Sequence, residues 1–283
     1  MARIAVVTDS TCDMGPEALK GMGVEMVSLK VHFGDSTYLD WIDFTTADFY
    51  EKLAASPSLP TTSQPSPAEF AEVYGRLASE GYDGIVSIHL SAKLSGTFES
   101  ATLAAVDSAI PVRVVDSLFV SWATALVVMA AVEARDGGGD LDAVEAAAVK
   151  AVAGTELYFV LDTLDNLVKG GRAGKAQGLA AALLNIKPVL HFVDGAIEPF
   201  KKARGTKAAF AELAAHAAER SKELGGVKAV VFHAMAPDLA EIMKADLVSA
   251  GLVGDIIATG EIGSVIGTHA ARKAVGVAYL PLS

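Results

Sequence analysis

Short apolar runs alternate with stretches of helical periodicity along the first half of this chain, and that alternation limits the fold more than any other feature. Arg3–Thr8, Val24–Phe33, Gly84–His89 and Val112–Val115 read as strands, with turn residues between them. Gly34-Asp35-Ser36 reads as a turn into Thr37–Trp41, and a polar, Pro-rich stretch runs from Ser56 to Pro67. That stretch ends in a helix start: Ser66 as cap, Pro67 at the first helical position, and Glu69 placed to close a capping box. Phe70, Val73, Tyr74 and Leu77 then recur at i, i+3, i+4 and i+7, so the helix has one apolar face before Gly81 ends it. A second helix is expected between Gly96 and Ser108. Strand–helix–strand order of this kind implies a parallel sheet with helices on both faces.

The second half has a different texture. Gly137-Gly138-Gly139 reads as a loop between two helices. Lys187–Phe192 and Ala196–Lys201 flank Asp194-Gly195 in a hairpin pattern. Val227–His233, Val253–Thr259 and Ala274–Leu280 read as further strands, with helices starting at Thr206 and Pro237. The expectation is two α/β domains: residues 1–153 with a mainly parallel sheet, and residues 154–283 with a mixed, largely antiparallel one. No repeat at a solenoid period is present.

Composition narrows the setting. The 283 residues are 52% hydrophobic with a mean hydropathy of +0.39, yet the formal net charge is -11. The longest uncharged apolar run, Val120–Val132, is too short for the roughly 18 residues of a spanning helix. Asp9 interrupts the N-terminus before a signal-like core forms. The expected setting is therefore the cytoplasm, with no integral membrane segment. The acidic balance disfavours nucleic acid and anionic membranes as partners. A single cysteine, Cys12, excludes an intramolecular disulfide and any multi-cysteine metal site.

Several familiar catalytic motifs are missing. Lys169 and Ala176 stand where a phosphate loop ending in Gly174-Lys175 needs its first glycine and its hydroxyl. No dinucleotide fingerprint, nucleophile elbow or His-Glu-x-x-His occurs. Hydroxyl residues instead recur at strand ends and helix starts: Thr8-Asp9-Ser10, Thr61-Thr62-Ser63, Ser91 with Ser95-Gly96-Thr97, and Asp116-Ser117. In a parallel sheet such loops gather at the C-terminal edge, where hydroxyls and backbone N–H groups suit a small anion, although each can also be an ordinary helix cap.

Taken together, these motifs resemble the DegV family. Thr8-Asp9-Ser10, Thr62-Ser63-Gln64-Pro65, Ser87-Ile88-His89-Leu90-Ser91, Leu94-Ser95-Gly96-Thr97, Asp116-Ser117, Lys169-Gly170-Gly171-Arg172, Ile186-Lys187-Pro188 and Gly267-Thr268-His269 occur in the family's order from Ile4 to Leu280. The resemblance implies a binding protein, with no cofactor and no metal, that holds a long-chain fatty acid such as palmitate in a tunnel between two α/β domains. It implies a role as the lipid-presenting subunit of bacterial fatty acid kinase, in which a separate ATP-binding subunit phosphorylates the carboxylate. The carboxylate contacts carried over are Thr62, Ser95 and His269. Ser63, Gly96, Ser10 and Ser117 are expected to form the surrounding binding loops, and Lys201, Lys202 and Arg204 to dock the kinase, with Lys207 beside them.

Two hydroxyls and an imidazole would release a carboxylate more readily than a buried arginine, whose bidentate pairing holds an anion tightly. Beside that carboxylate, His269 is expected to be protonated. Each buried methylene of the tail would add about 0.8 kcal/mol, against walls for which Phe33, Phe159, Ile186, Leu190, Ile262 and Ile266 are candidates. The chain departs from the family pattern in two places. Ala270-Ala271-Arg272-Lys273 follows His269 where a Gly-rich turn is usual, and Ser121-Trp122-Ala123-Thr124 follows Asp116-Ser117, so Trp122 could shorten the acyl site. The alternatives are an acyl- or phosphoryl-processing enzyme using Ser95 and His269, and a diverged binder of another amphiphilic anion.

Overall fold

Residues 2–182 and 186–282 are described by the computed structural model. The chain falls into two compact units, Met1–Thr45 with Pro60–Ala153, and Thr46–Leu59 with Gly154–Ser283. A boundary at Gly154 alone leaves residues 1–153 as one stretch, whereas Thr46–Leu59 packs within the second unit.

The strands of the first unit are β1 (Ile4–Asp9), β2 (Val24–Val27), β3 (Lys30–Phe33), β4 (Ser36–Leu39), β5 (Thr61–Ser63), β6 (Gly84–His89) and β7 (Val112–Asp116). The helices over the same span are α1 (Pro16–Gly21), α2 (Thr46–Ala55, part of the second unit), α3 (Pro67–Ser79), α4 (Thr97–Val106), α5 (Ser121–Asp136) and α6 (Leu141–Gly154). The order β2-β1-β6-β7 makes an all-parallel sheet. Every residue of β1 and β6 is buried, as strands covered on both faces require. Ala5, Val7 and Ile85 pack with Phe70, Tyr74 and Leu77 of α3 and with Ala101 and Ala104 of α4. Helix α5 also lies against β1 and β6.

Val24–Phe33 is not one strand. It divides into β2, in the parallel sheet, and β3, in a separate antiparallel sheet of order β4-β3-β5. The break falls where Leu29 diverts its backbone: its N–H donates to Ser10 Oγ at 3.0 Å, and its carbonyl accepts from Asp40 N at 3.0 Å. Strand β5 lies inside the stretch read only as polar and Pro-rich. The capping box is present: Ser66 Oγ accepts from Glu69 N at 3.3 Å, and Glu69 Oε2 accepts from Ser66 N at 2.8 Å. The three glycines at 137–139 link α5 to α6.

The second unit continues with β8 (Glu156–Val160), α7 (Asp165–Lys169), β9 (Lys187–Val193), β10 (Ala196–Ala203), α8 (Thr206–Glu223), β11 (Val227–His233), α9 (Pro237–Ala250), β12 (Gly254–Glu261), α10 (Ser264–Ala270) and β13 (Val275–Pro281). Its sheet runs β10-β9-β8-β13-β11-β12; only β11–β12 is parallel, so the sheet is mixed. At the β9–β10 turn Asp194 and Gly195 have φ of 48° and 81°, the two left-handed positions that a tight hairpin of this type demands. One face of the sheet presents Tyr158, Val160, Val189, Val231 and Val277 to Phe210, Leu213, Met243 and Leu247 of α8 and α9. By strand alternation Phe159, Leu190 and Phe232 lie on the opposite face, and they are buried as well.

The capping box gives a direct test of the local reading. Ser66→Ala should lower stability by about 1 kcal/mol, measured as a shift in the urea midpoint at constant slope.

Candidate functional site

The C-terminal edge of the parallel sheet is tied together by one buried carboxylate. Asp9 Oδ1 accepts from Thr11 N at 3.0 Å and from Thr11 Oγ1 at 2.5 Å, and Oδ2 accepts from Leu90 N at 3.0 Å. His89 Nδ1 lies 3.1 Å from Oδ2 and donates to it, since a carboxylate only accepts. On the far side of the ring, Nε2 is 2.7 Å from Ser87 Oγ, to which Tyr74 OH donates at 2.8 Å. Asp9, Ser87 and His89 have the connectivity of an acid–base–nucleophile relay, but all three are fully buried. The network fixes the ends of β1 and β6. Two further bonds, Ser117 N to His89 O at 2.9 Å and Ser91 N to Phe119 O at 2.8 Å, fix the end of β7 beside them.

On this scaffold the structure brings two of the expected loops together. Thr62 and Ser63 lie on β5, where Thr62 is opposite Val31. Gln64 follows, and its amide comes so close to Gly96 that a Cβ there would lie 2.5 Å from Gln64 Nε2. Ser95, half-buried, bonds through Oγ to Thr97 Oγ1 at 2.9 Å and accepts from Thr97 N at 3.3 Å. The Thr62 and Ser95 segments therefore form one hydroxyl-lined corner of the first unit. The other expected hydroxyls are engaged within the frame: Ser63 with a ring nitrogen, Ser10 and Ser117 with backbone N–H groups. Ser63 Oγ is 2.8 Å from His32 Nε2, Ser10 Oγ accepts from Leu29 N, and Ser117 Oγ accepts from Phe119 N at 3.2 Å and bonds Thr124 Oγ1 at 3.0 Å. Trp122 is half-buried in the first turn of α5.

His269 belongs to the second unit, near the end of α10, and close packing explains two glycine motifs around it. A Cβ on Gly170, just after α7, would overlap His269 Nδ1. A Cβ on Gly267 would lie 2.5 Å from Tyr50 OH and 2.9 Å from Phe49 Cε1, both on α2. Asn166 Nδ2 donates to Thr268 O at 3.0 Å, and Arg172 Nη1 donates to Gly170 O at 2.6 Å. Burial, aided by the Arg172 guanidinium, lowers the His269 pKa to about 4. The imidazole is therefore neutral at pH 7, because burial and the neighbouring guanidinium both disfavour the cation.

The turn after His269 keeps a glycine-like backbone without glycine. Ala271 has φ 61° and ψ -176°, and Lys273 has φ 64°, so the replaced positions carry strain that a Cβ makes costly. Lys201 Nζ pairs with Glu212 at 2.7 Å and lies 5.8 Å from the Phe200 ring centroid; Lys202, Arg204 and Lys207 are exposed beside it. Of the candidate wall residues, Leu190, Phe159 and Ile262 are buried, and Phe33, Ile186 and Ile266 are half-buried. Among the described residues no group of three His, Cys, Asp or Glu is placed to hold a metal ion, and no helix is long and apolar enough to cross a membrane.

Two measurements follow from the His269 region. A histidine with a folded pKa near 4 against an ordinary 6.5 contributes stability that is complete above about pH 6.5 and is lost as pH falls toward 4. Acidification from pH 7 to 4.5 should therefore cost wild-type about 2 kcal/mol more than His269→Gln, read from urea unfolding at both pH values. Equal losses would show that burial does not hold the ring neutral. Ala271→Gly should raise stability by about 1 kcal/mol, as relief of the strained φ outweighs the added chain entropy.

Similarity to known proteins agrees with this architecture. The sequence profile described as "Uncharacterised protein, DegV family" matches residues 3–282. A DegV domain-containing protein of Streptomyces coelicolor is 42% identical over 242 residues, 85% of each chain. A DegV family protein from Thermus thermophilus, described for its fatty acid binding, has a solved structure with a TM-score of 0.91 and 34% identity, covering 99% of this chain and 100% of its own. DegV from Bacillus subtilis, described as a fatty acid binding protein, is similar at a TM-score of 0.88 and 31% identity over 100% of both chains. The chain belongs to the DegV family.

Proposed function

We propose that this protein binds a long-chain fatty acid and presents its carboxylate to a separate ATP-dependent kinase. The observation that carries the reading is the whole-length likeness to the fatty-acid-binding Thermus thermophilus protein. In this reading Thr62, Ser95 and His269 hold the carboxylate, with Ser63, Gly96, Ser10 and Ser117 shaping the loops around the two hydroxyls. Neutral donors of this kind bind an anion without the grip of a bidentate arginine, which suits a carrier that must also release its cargo. A bound carboxylate beside His269 would raise the depressed pKa of the ring, since an opposite charge favours the cation. The tail would lie against apolar residues such as Phe159, Leu190, Ile262 and Ile266.

The kinase reading is a transfer in which a carboxylate oxygen attacks the terminal phosphorus of ATP, giving acyl phosphate and ADP. Lys201, Lys202 and Arg204 form an exposed basic strand end on a chain of net charge -11, the kind of patch that steers an acidic partner. Residues 1–153 and 154–283 would serve as carboxylate-binding and acyl-closing domains, in the cytoplasm. An enzyme built on Ser95 has less support. Its hydroxyl bonds to Thr97, and the Ser–His pair of the first unit that is backed by a carboxylate, Ser87 with His89 and Asp9, is sealed from solvent.

Mass spectrometry of an organic extract of the purified protein should find a stoichiometric long-chain fatty acid. A lipid-free protein that also fails to bind added palmitate or oleate would remove the proposal. The double substitution Thr62→Ala with Ser95→Ala should weaken oleate binding at least tenfold, about two lost hydrogen bonds to a charged group, while leaving the thermal midpoint near that of wild-type. Unchanged affinity would place the carboxylate elsewhere.

A further inference from the structure

A cavity of about 390 Å³ opens within the second unit between the α2–Leu59 segment, the α7 turn and the residues after α10. Its polar wall includes Ser56, Ser58, Thr163, Asn166, Lys169 and Arg272, and Tyr50, Leu53 and Leu59 supply the apolar part. Lys169 and Arg272 are exposed, and among the described residues neither has a carboxylate within ion-pair distance. Several other cations of this acidic chain are paired: Lys30 with Glu69, Arg76 with Glu25 and Glu80, Lys201 with Glu212, and Arg220 with Glu156 and Glu223. The Arg272 guanidinium carbon lies 5.9 Å from the centroid of the Tyr50 ring.

The carboxylate lining the cavity, Asp162, is already neutralised by Lys187 Nζ at 2.8 Å, which also donates to the Asp162 carbonyl. Two unopposed cations therefore face one polar space, and a planar fork paired with a flexible ammonium is a combination that suits phosphate oxygens. Thr163 Oγ1 accepts from Asp165 N at 3.1 Å, which leaves its own proton to donate. Space beyond one phosphate is available for the organic part of a phosphate ester or anhydride. The cavity also adjoins the histidine: Lys169 precedes Gly170, on which His269 packs, and Ala271 and Arg272 follow His269 by two and three residues.

We propose that this cavity binds a phosphate group, held between Lys169 and Arg272 next to the His269 turn. The assignment rests on the carboxylate-presenting reading above, in which a phosphoryl group must be accommodated close to the carboxylate. The shared chemistry is a phosphate dianion, carried either by an acyl phosphate headgroup or by the end of a nucleoside diphosphate.

The test uses the full chain at low ionic strength, where exposed charges are least screened, with calorimetric titrations of inorganic phosphate, ADP and adenosine. Oleate binding is measured on the same samples. Saturable phosphate binding should weaken at least fivefold in Lys169→Ala and in Arg272→Ala, and stay unchanged in Lys222→Ala, an exposed cation elsewhere in the unit. ADP binding more tightly than phosphate would assign the site to the nucleotide, and equal affinities would assign it to the headgroup; both support a phosphate site. No saturable phosphate binding, an equal loss in Lys222→Ala, or adenosine binding as well as ADP would overturn it. Oleate bound without phosphate binding defeats this inference alone, whereas failure to bind oleate defeats the carrier reading on which it rests.

Discussion

The buried carboxylate of Asp9 is the interaction on which the hydroxyl-lined corner of the first unit depends. An ionised group at full burial survives only when its oxygens are satisfied. Here Thr11 and Leu90 supply two backbone N–H groups, Thr11 adds its hydroxyl, and His89 adds a ring nitrogen. Each of those donors belongs to a segment that must turn at the sheet edge, so satisfying the charge also positions the turns. Removing the carboxylate would leave buried donors unpaired in two loops at once, which is costlier than the loss of any single bond. The same economy explains why Ser10 and Ser117 look like ligand hydroxyls but serve backbone N–H groups: they hold the frame in which Thr62 and Ser95 are presented.

The second unit solves a different problem. It must bring an imidazole close to a backbone without charging it. Gly170 removes the side chain that would occupy the ring's place, and burial beside Arg172 keeps the ring neutral. A neutral imidazole contributes a donor or an acceptor and no net charge, so any cationic character must come with a bound anion.

Much of this was legible in the sequence where the signal is local. The Ser66–Glu69 box, the Asp194-Gly195 turn and the apolar stripe of α3 each need only a few neighbouring residues to be recognised, and each is present. The parallel sheet followed from strand–helix alternation. Strand β5 was not legible, because three polar residues between prolines carry no period, and their partner β3 lies some thirty residues earlier in the chain. The split of Val24–Phe33 was hidden for a related reason: Leu29 is as apolar as its neighbours, and only Ser10 and Asp40, distant in sequence, divert its backbone. The roles of Gly170 and Gly267 needed contacts with residues far away in the chain. His269 was singled out by motif, but its protonation state depends on burial, which a motif does not contain.

The packing of α2 within the second unit has a consequence for how the chain is made. Thr46 Oγ1 bonds to Glu261 Oε2 across 215 positions, and α2 fills the ground in front of Gly267. During synthesis this helix emerges early and must wait for almost the whole remaining chain before its partner surface exists. Contacts of such separation are slow to form because loop closure precedes any gain. A fragment beginning at Gly154 would lack the helix and expose the surface it covers. The second unit is thus the last to be completed although part of it is among the first to be translated, and the boundary that matters for assembly is not a single point along the sequence.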